Sequence, residues 1–296
     1  MKDTFSTYHP AVNFLYFALV LVFSMWFMHP AALCISLAGA FVWSVYLGGH
    51  KAMRFTLLTM LPMMLLAAVI NPAFNHKGGT ILTYLPTGNP LTLESIVYGA
   101  AAAAMLIAVI LWFSCYNKVM TSDKFVYLFG RIIPALSLVL SMVLRFVPKF
   151  QAQLRVVSGA QRCIGRDVSN GSLLQRARHG IRILSIMVTW ALENAIETAD
   201  SMKSRGYGLP GRTAFSIYRF DERDRSALCW ICGVGGFILA MWGAGGLYHR
   251  YFPTFKIAAW DAWSVSALLA YLLLCATPLI IDLWEDRKWK HLRYGG

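Results

Sequence analysis

Six long apolar runs constrain this chain more than any other feature in it. They fall at about residues 11–28, 31–49, 55–71, 93–116, 227–248 and 263–283. Each approaches the roughly 20 residues that an α-helix needs to cross a hydrocarbon core about 30 Å thick. Apolar residues make up 57% of the 296 and charged residues 14%, with a mean hydropathy of +0.54. A soluble globule, a disordered tail and a secreted disulfide scaffold fit that balance poorly. The predicted fold class is all-α: a polytopic helical membrane protein with about six transmembrane helices and a helical domain on the cytoplasmic side. The stretch Met1 to Pro10, with one Lys and one Asp, runs into two successive apolar runs and does not read as a cleavable signal peptide.

Charge sets the expected orientation. The chain has 27 Lys and Arg against 14 Asp and Glu, a net +13. No nucleic-acid-binding motif accompanies this charge, so no nucleic-acid partner is expected. Excess cations instead mark cytoplasmic segments of membrane proteins. Lys51 and Arg54 lie between the second and third runs, Lys118 and Lys124 after the fourth, and Arg287, Lys288, Lys290 and Arg293 after the sixth. The intervening loops carry fewer cations. Six spans with both termini cytoplasmic satisfy every loop, which places the chain as a multi-pass protein of the plasma membrane in contact with the lipid bilayer.

Residues 117–226 differ from the rest, with 17 Lys and Arg against 8 Asp and Glu. Their apolar stretches, Ile132–Leu144 and Ile181–Leu192, are short for spanning and read as interfacial or buried amphipathic helices. The expected organisation is 1–117 for transmembrane helices 1–4, 118–225 for the cytoplasmic domain, and 226–296 for helices 5–6 and a basic tail. Pro148 suits the first turn of a helix. Over 148–166, Phe150, Leu154, Val157 and Ile164 share one face and Lys149, Arg155, Arg162 and Arg166 the other. Gly165 offers a stop. A second helix is predicted from Leu173 to about Ser204, with Arg205 against its dipole and Gly206 and Gly208 able to take left-handed geometry.

Glu193, Glu197 and Asp200 recur at i, i+4, i+7 and share a face of that second helix. Pairing with the nearby arginines is the plainer reading; a catalytic or metal site is the sharper one. Cys229 and Cys232 form a CxxC without a second pair or a nearby His, so they read as small packing residues. The seven histidines are too dispersed for a metal site. No Walker-type loop, HExxH or G-x-S-x-G occurs, and no cofactor is expected. Glycines at 233, 235, 236, 243, 245 and 246, and the run Ala100–Ala104, read as surfaces for close helix approach. The spans hold almost no ionisable residues, which argues against a stand-alone secondary transporter.

Several segments together resemble the T component of energy-coupling factor transporters, the transmembrane scaffold of vitamin- or metal-importing ABC systems. They are His9-Pro10, Gly78-Gly79-Thr80-Ile81-Leu82, Asn89-Pro90-Leu91-Thr92-Leu93-Glu94-Ser95, and Ser141-Met142-Val143-Leu144-Arg145-Phe146-Val147-Pro148. The similarity covers about residues 8–225. The most specific signal is a pair of helix-terminal motifs, usually Ala-Arg-Gly, about forty residues apart. The second matches as Ser204-Arg205-Gly206. The first departs, with Cys163-Ile164-Gly165 between Arg162 and Arg166, so its central Arg is absent. The resemblance implies that 118–225 is a coupling-helix domain and that these residues contact two ABC ATPase subunits. It also implies a small substrate-binding membrane S component packed on an apolar surface, and a chain that is itself no enzyme. Two other classes stand beside it: a membrane-embedded enzyme with an acidic site on the 181–204 helix, and a stand-alone secondary transporter.

Overall fold

The computed structural model describes residues 3–84, 89–130, 134–210 and 218–294. Ile132 and Ile133, and the side chains of Lys290, His291 and Arg293, lie outside the described residues. Nine helices run in order among those described: α1 Pro10–Trp26, α2 Pro30–Phe55, α3 Leu61–Phe74, α4 Leu93–Val119, α5 Ser122–Gly130, α6 Pro134–Cys163, α7 Leu173–Ser204, α8 Glu222–Gly243 and α9 Ala262–Tyr294. Two short antiparallel hairpins join them, β1 Ile81–Tyr84 with β2 Pro90–Thr92 and β3 His249–Arg250 with β4 Lys256–Ile257. The chain is an all-α polytopic membrane protein. Four apolar runs are long enough to cross a bilayer, and the 17-residue α1 is a further apolar helix.

The chain divides into two compact units, Met1–Lys124 with Tyr218–Gly296, and Phe125–Ile217. In the first, α4 packs on α1, α2 and α3, while α9 packs on α2 and α8. The interior is aromatic: Tyr16, Trp43, Trp112 and Tyr271 are fully buried. Lipid offers helices no hydrophobic reason to associate, so polar contacts and close packing carry more of the burden. Both are present. Ser24 Oγ of α1 bonds Ser36 Oγ of α2 at 2.6 Å and Tyr271 OH of α9 at 3.0 Å, and Trp112 Nε1 of α4 donates to Ser36 at 3.1 Å. One small network thus joins four helices. At Gly99 a methyl group would lie 2.7 Å from the Ala68 carbonyl oxygen, so α4 approaches α3 as closely as a glycine allows. Ala101 and Ala103 are buried beside it, as the alanine run predicts.

Several expectations need correction. The loop expected around Lys51 and Arg54 is helical: the break falls at Gly49 (φ 57°, ψ −145°), inside α2, and a π-helical turn at Thr56–Met60 leads into α3. A glycine can take this geometry without a loop. Cys229 and Cys232 are exposed on α8 rather than packed, because a helix at the edge of a bundle buries one face. Of the glycines on α8 and after it, Gly235 faces Leu19 closely and Gly246 the Trp263 backbone, while Gly233, Gly236, Gly243 and Gly245 face open space. His29 is buried; burial first, then His249, pushes its pKa below the usual imidazole value.

Ionisable groups close the ends of the first unit. The Asp282 carboxylate accepts the Phe5 N–H at 2.9 Å, and Asp224 accepts that of His9 at 2.9 Å. Lys124, 7% exposed, donates to the carbonyls of Ser6 and Val119. Burial lowers its pKa, opposed by Asp3. These contacts tie the segment before α1 to α4, α8 and α9.

Candidate functional site

The second unit is dominated by α6 and α7, of 30 and 32 residues. At 1.5 Å per residue they are roughly 45 and 48 Å long. The expected start at Pro148 is wrong: α6 begins by Pro134 and carries Pro148 in its interior. An interior proline forfeits one backbone hydrogen bond, but the apolar stretch before it and the amphipathic stretch after it form one continuous helix. The second helix runs over Leu173–Ser204, as expected. Its start is fixed by a capping box, with Ser172 Oγ accepting from Gln175 N–H and Gln175 Oε1 accepting from Ser172 N–H. The S-x-x-Q spacing that encodes it was legible in the sequence and overlooked.

The two helices pack antiparallel. Val157 of α6 meets Ile183 and Met187 of α7 in a small buried cluster. Further along, Phe150 stands edge-on to Trp190 at 5.2 Å, and Lys149 Nζ donates to Asn194 Oδ1 and lies 5.6 Å from the Trp190 ring. Of the apolar face expected on 148–166, Phe150 and Val157 pack, whereas Leu154 and Ile164 are exposed. At 100° per residue, Ile181, Leu184, Val188 and Leu192 share a face opposite the one that meets α6, and all four are exposed. A groove of about 830 Å³, walled by Phe146, Phe150, Leu154, Leu184 and Val188 among others, adds to this uncovered apolar surface.

Towards the C-terminal half of α7, a second cleft of about 740 Å³ is lined by Arg145 and Lys149 of α6 and by Asn194, Glu197, Ser201 and Arg205. Arg145 lay within the resemblance but was not singled out. Glu193, Glu197 and Asp200 are not in ion pairs among the described residues, so the expected pairing with arginines is not found. Nor do three His, Cys, Asp or Glu side chains gather to hold a metal among the described residues.

The ends of α6 and α7 carry the sequence motifs, and their backbones match bond for bond. In α6, Gly165 N–H donates to the Arg162 carbonyl at 3.0 Å and Arg166 N–H to that of Gln161 at 2.9 Å. In α7, Gly206 N–H donates to the Lys203 carbonyl at 2.9 Å and Tyr207 N–H to that of Met202 at 3.0 Å. Both are Schellman caps, with Gly165 at φ 75° and Gly206 at φ 79°. Those two positions need glycine, because a side chain there is strained. The match makes Cys163-Ile164-Gly165 the geometric counterpart of Ser204-Arg205-Gly206. Cys163, Ile164, Arg166, Ser204 and Arg205 are all exposed. Arg162 lies two residues before Ile164 and pairs with Asp167 at 3.4 Å. The Asp167 carboxyl sits below its usual range, chiefly because the Ser169 side chain and then its backbone N–H donate to it. Because α6 and α7 are antiparallel, the two C-terminal tips lie at opposite ends of the pair.

No protein-family model matches the chain. By sequence it is similar to the energy-coupling factor transporter transmembrane protein EcfT of Lactobacillus helveticus, 34% identical over 105 residues, 35% of this chain and 38% of that one. It is also similar to EcfT of Lactococcus lactis subsp. cremoris, 34% identical over 90 residues, 30% of this chain and 34% of the relative. With EcfT of Brevibacillus brevis it shares 29% identity over 174 residues, 55% of this chain and 65% of that protein. The matches thus span from about a third to just under two-thirds of these relatives' length. The resemblance to the transmembrane component of energy-coupling factor transporters is borne out.

Proposed function

We propose that this chain is the transmembrane scaffold, the T component, of an energy-coupling factor importer of the ABC type. It binds no nucleotide and catalyses nothing itself. Two partner ATPases supply the energy, and a small substrate-binding S component in the membrane carries a vitamin or a transition-metal ion. The observation that carries this reading is the antiparallel pair α6 and α7, each ending in the same exposed, glycine-capped tip. One tip is Ser204-Arg205-Gly206; the other is Cys163-Ile164-Gly165, flanked by Arg162 and Arg166. A glycine cap stops the helix abruptly, so the residue before it stands at the end of a rigid rod. Arg205 there can reach a carboxylate or carbonyl groove with both guanidinium nitrogens.

Two ATPases, one at each tip, would push on the ends of the pair as they close on ATP. The uncovered apolar stripe on α7 and the apolar groove beside it are the surface on which the S component would pack, and movement of α6 and α7 would tilt it. Contiguous apolar exposure of this kind marks interaction sites. In this reading the termini and both tips face the cytoplasm of a multi-pass plasma-membrane protein. The test is gentle detergent purification of the tagged chain from its native membranes, with mass spectrometry of what accompanies it. ATPase polypeptides together with a small hydrophobic protein are the expected result. A chain that purifies alone, under conditions that keep other membrane complexes whole, would contradict it.

A further inference from the structure

Helices α8 and α9 pack on each other in the first unit, and both are long and apolar enough to cross a bilayer. One seam between them is open. On α8, Ser226, Trp230, Gly233 and Phe237 recur at i, i+4, i+7 and i+11 and share a face. On α9, Ser266, Leu273, Ile280 and Trp284 recur in the same way. Two clefts of about 300 and 490 Å³ lie along this seam, walled almost wholly by apolar atoms, and Trp230 borders both. From Arg223 to Phe237 the seam runs roughly 21 Å at 1.5 Å per residue, more than half of a hydrocarbon core about 30 Å thick. A groove of that length takes one acyl chain of one leaflet. Gly233 gives it width, because a methyl group there would meet nothing within 4 Å.

Only one end of the seam is charged. Arg223 lies 3.5 Å from Glu285 Oε1, donates to Thr7 Oγ1 at 3.3 Å and sits 4.3 Å over the Tyr8 ring. A guanidinium has five N–H donors, so some of them have no partner among the described residues. Lys288 Nζ lies 5.6 Å from the ring of Trp284, which walls the same cleft. Glu285 Oε2 is buried and accepts no hydrogen bond. A buried carboxylate oxygen without a donor is costly. Trp230 Nε1 donates to Thr277 Oγ1 at 3.3 Å, which fixes a tryptophan at the depth where such rings mark the membrane–water boundary.

We propose that this seam binds one phospholipid with an ethanolamine headgroup. An acyl chain lies in the groove past Gly233, the phosphate meets Arg223 and Lys288, and the ammonium donates to the free oxygen of Glu285. The headgroup choice follows from Glu285. Choline carries a cation but no N–H, so it leaves Oε2 unpaired. Phosphatidylglycerol has hydroxyls to donate but brings no cation to a buried carboxylate. Ethanolamine supplies both, with three donors on one ammonium.

The experiment delipidates the full chain, purified in mild detergent with whatever accompanies it. It then offers phosphatidylethanolamine, phosphatidylcholine and phosphatidylglycerol in equal amounts and counts retained lipid by mass spectrometry. A charge-assisted hydrogen bond to Glu285 should favour the ethanolamine lipid by about tenfold over the other two. Gly233→Leu fills the groove and should cut that retention by about tenfold; a leucine suits a helix better than glycine, and its Cβ meets nothing, so the variant still folds. Glu285→Gln keeps an acceptor for Arg223 but removes the charge, and should bring the ethanolamine and choline lipids close to parity. Equal retention of all three lipids by the parent chain overturns the inference. So does a preference for phosphatidylglycerol, since the end of the seam would then be a plain cation patch. Unchanged retention by Gly233→Leu overturns it as well, because the lipid would then sit elsewhere on the bundle. The scaffold reading stands under each of these results.

Discussion

In the unit formed by Met1–Lys124 and Tyr218–Gly296, fully buried Tyr16, Trp43, Trp112 and Tyr271 are shared among α1, α2, α4 and α9. In the unit Phe125–Ile217, two helices of 30 and 32 residues bury Val157, Ile183 and Met187 between them. The first has a core, a hydrogen-bond network through four helices, and buried groups that fasten its ends. The second has length, glycine-capped tips and apolar side chains such as Ile181, Leu184, Val188 and Leu192 that are exposed. On the scaffold reading proposed above, the first unit is the part held in the membrane and the second is the part that meets the partners.

The largest effect should come from the core. Trp112→Ala removes a fully buried ring and the donor to Ser36, and it should cost about 3–5 kcal/mol. Thermal unfolding in detergent should show a large fall in the transition temperature; a transition near that of the parent would mean the aromatic interior is not what holds the first unit. Met187→Ala removes the centre of the small cluster in the second unit, a loss of about 2 kcal/mol. That loss should appear as faster hydrogen exchange across 134–204, with the main transition unmoved. If the main transition fell as well, the two units would unfold as one and the comparison would fail.

Lys124→Met tests the fastened ends. It leaves the Ser6 and Val119 carbonyls without their donor, at about 1 kcal/mol, and should loosen the segment before α1, read as increased proteolysis there. The smallest effect belongs to the loop after α6. The carboxyl of Asp167 is held below its usual value by Ser169. Its contribution is therefore complete above the ordinary value of 3.8 and is lost as the pH falls through the lower folded value. Hydrogen exchange of residues 165–172 should stay flat above that range and rise below it, and Asp167→Asn should abolish the change.

Much of the fold was legible because hydropathy alone marks helices that must sit in lipid. All six apolar runs coincide with helices. Local rules misread the joints. Pro148 looked like a start because isolated helices avoid interior proline, yet the apolar residues before it carry α6 straight through. Lys51 and Arg54 looked like a loop because they are charged, yet Gly49 makes the break by itself. The short hairpins at 81–92 and 249–257 went unseen, being only two to four residues per strand. At the tips, Gly165 and Gly206 announced the caps, since left-handed geometry calls for glycine. That the caps are twins, and that Ile164 stands where Arg205 does, needed the hydrogen bonds. Ser24, Ser36, Trp112 and Tyr271 meet across as many as 247 positions of chain, a distance no local pattern encodes.

The most direct test of the account is to replace Arg205 by Glu in the tagged chain and follow both membrane insertion and the ATPases that co-purify with it. Arg205 is exposed at the end of α7, so the variant should insert and fold as the parent does while its ATPase retention and substrate uptake fall sharply. Normal assembly and normal uptake by the Arg205→Glu variant would contradict the account.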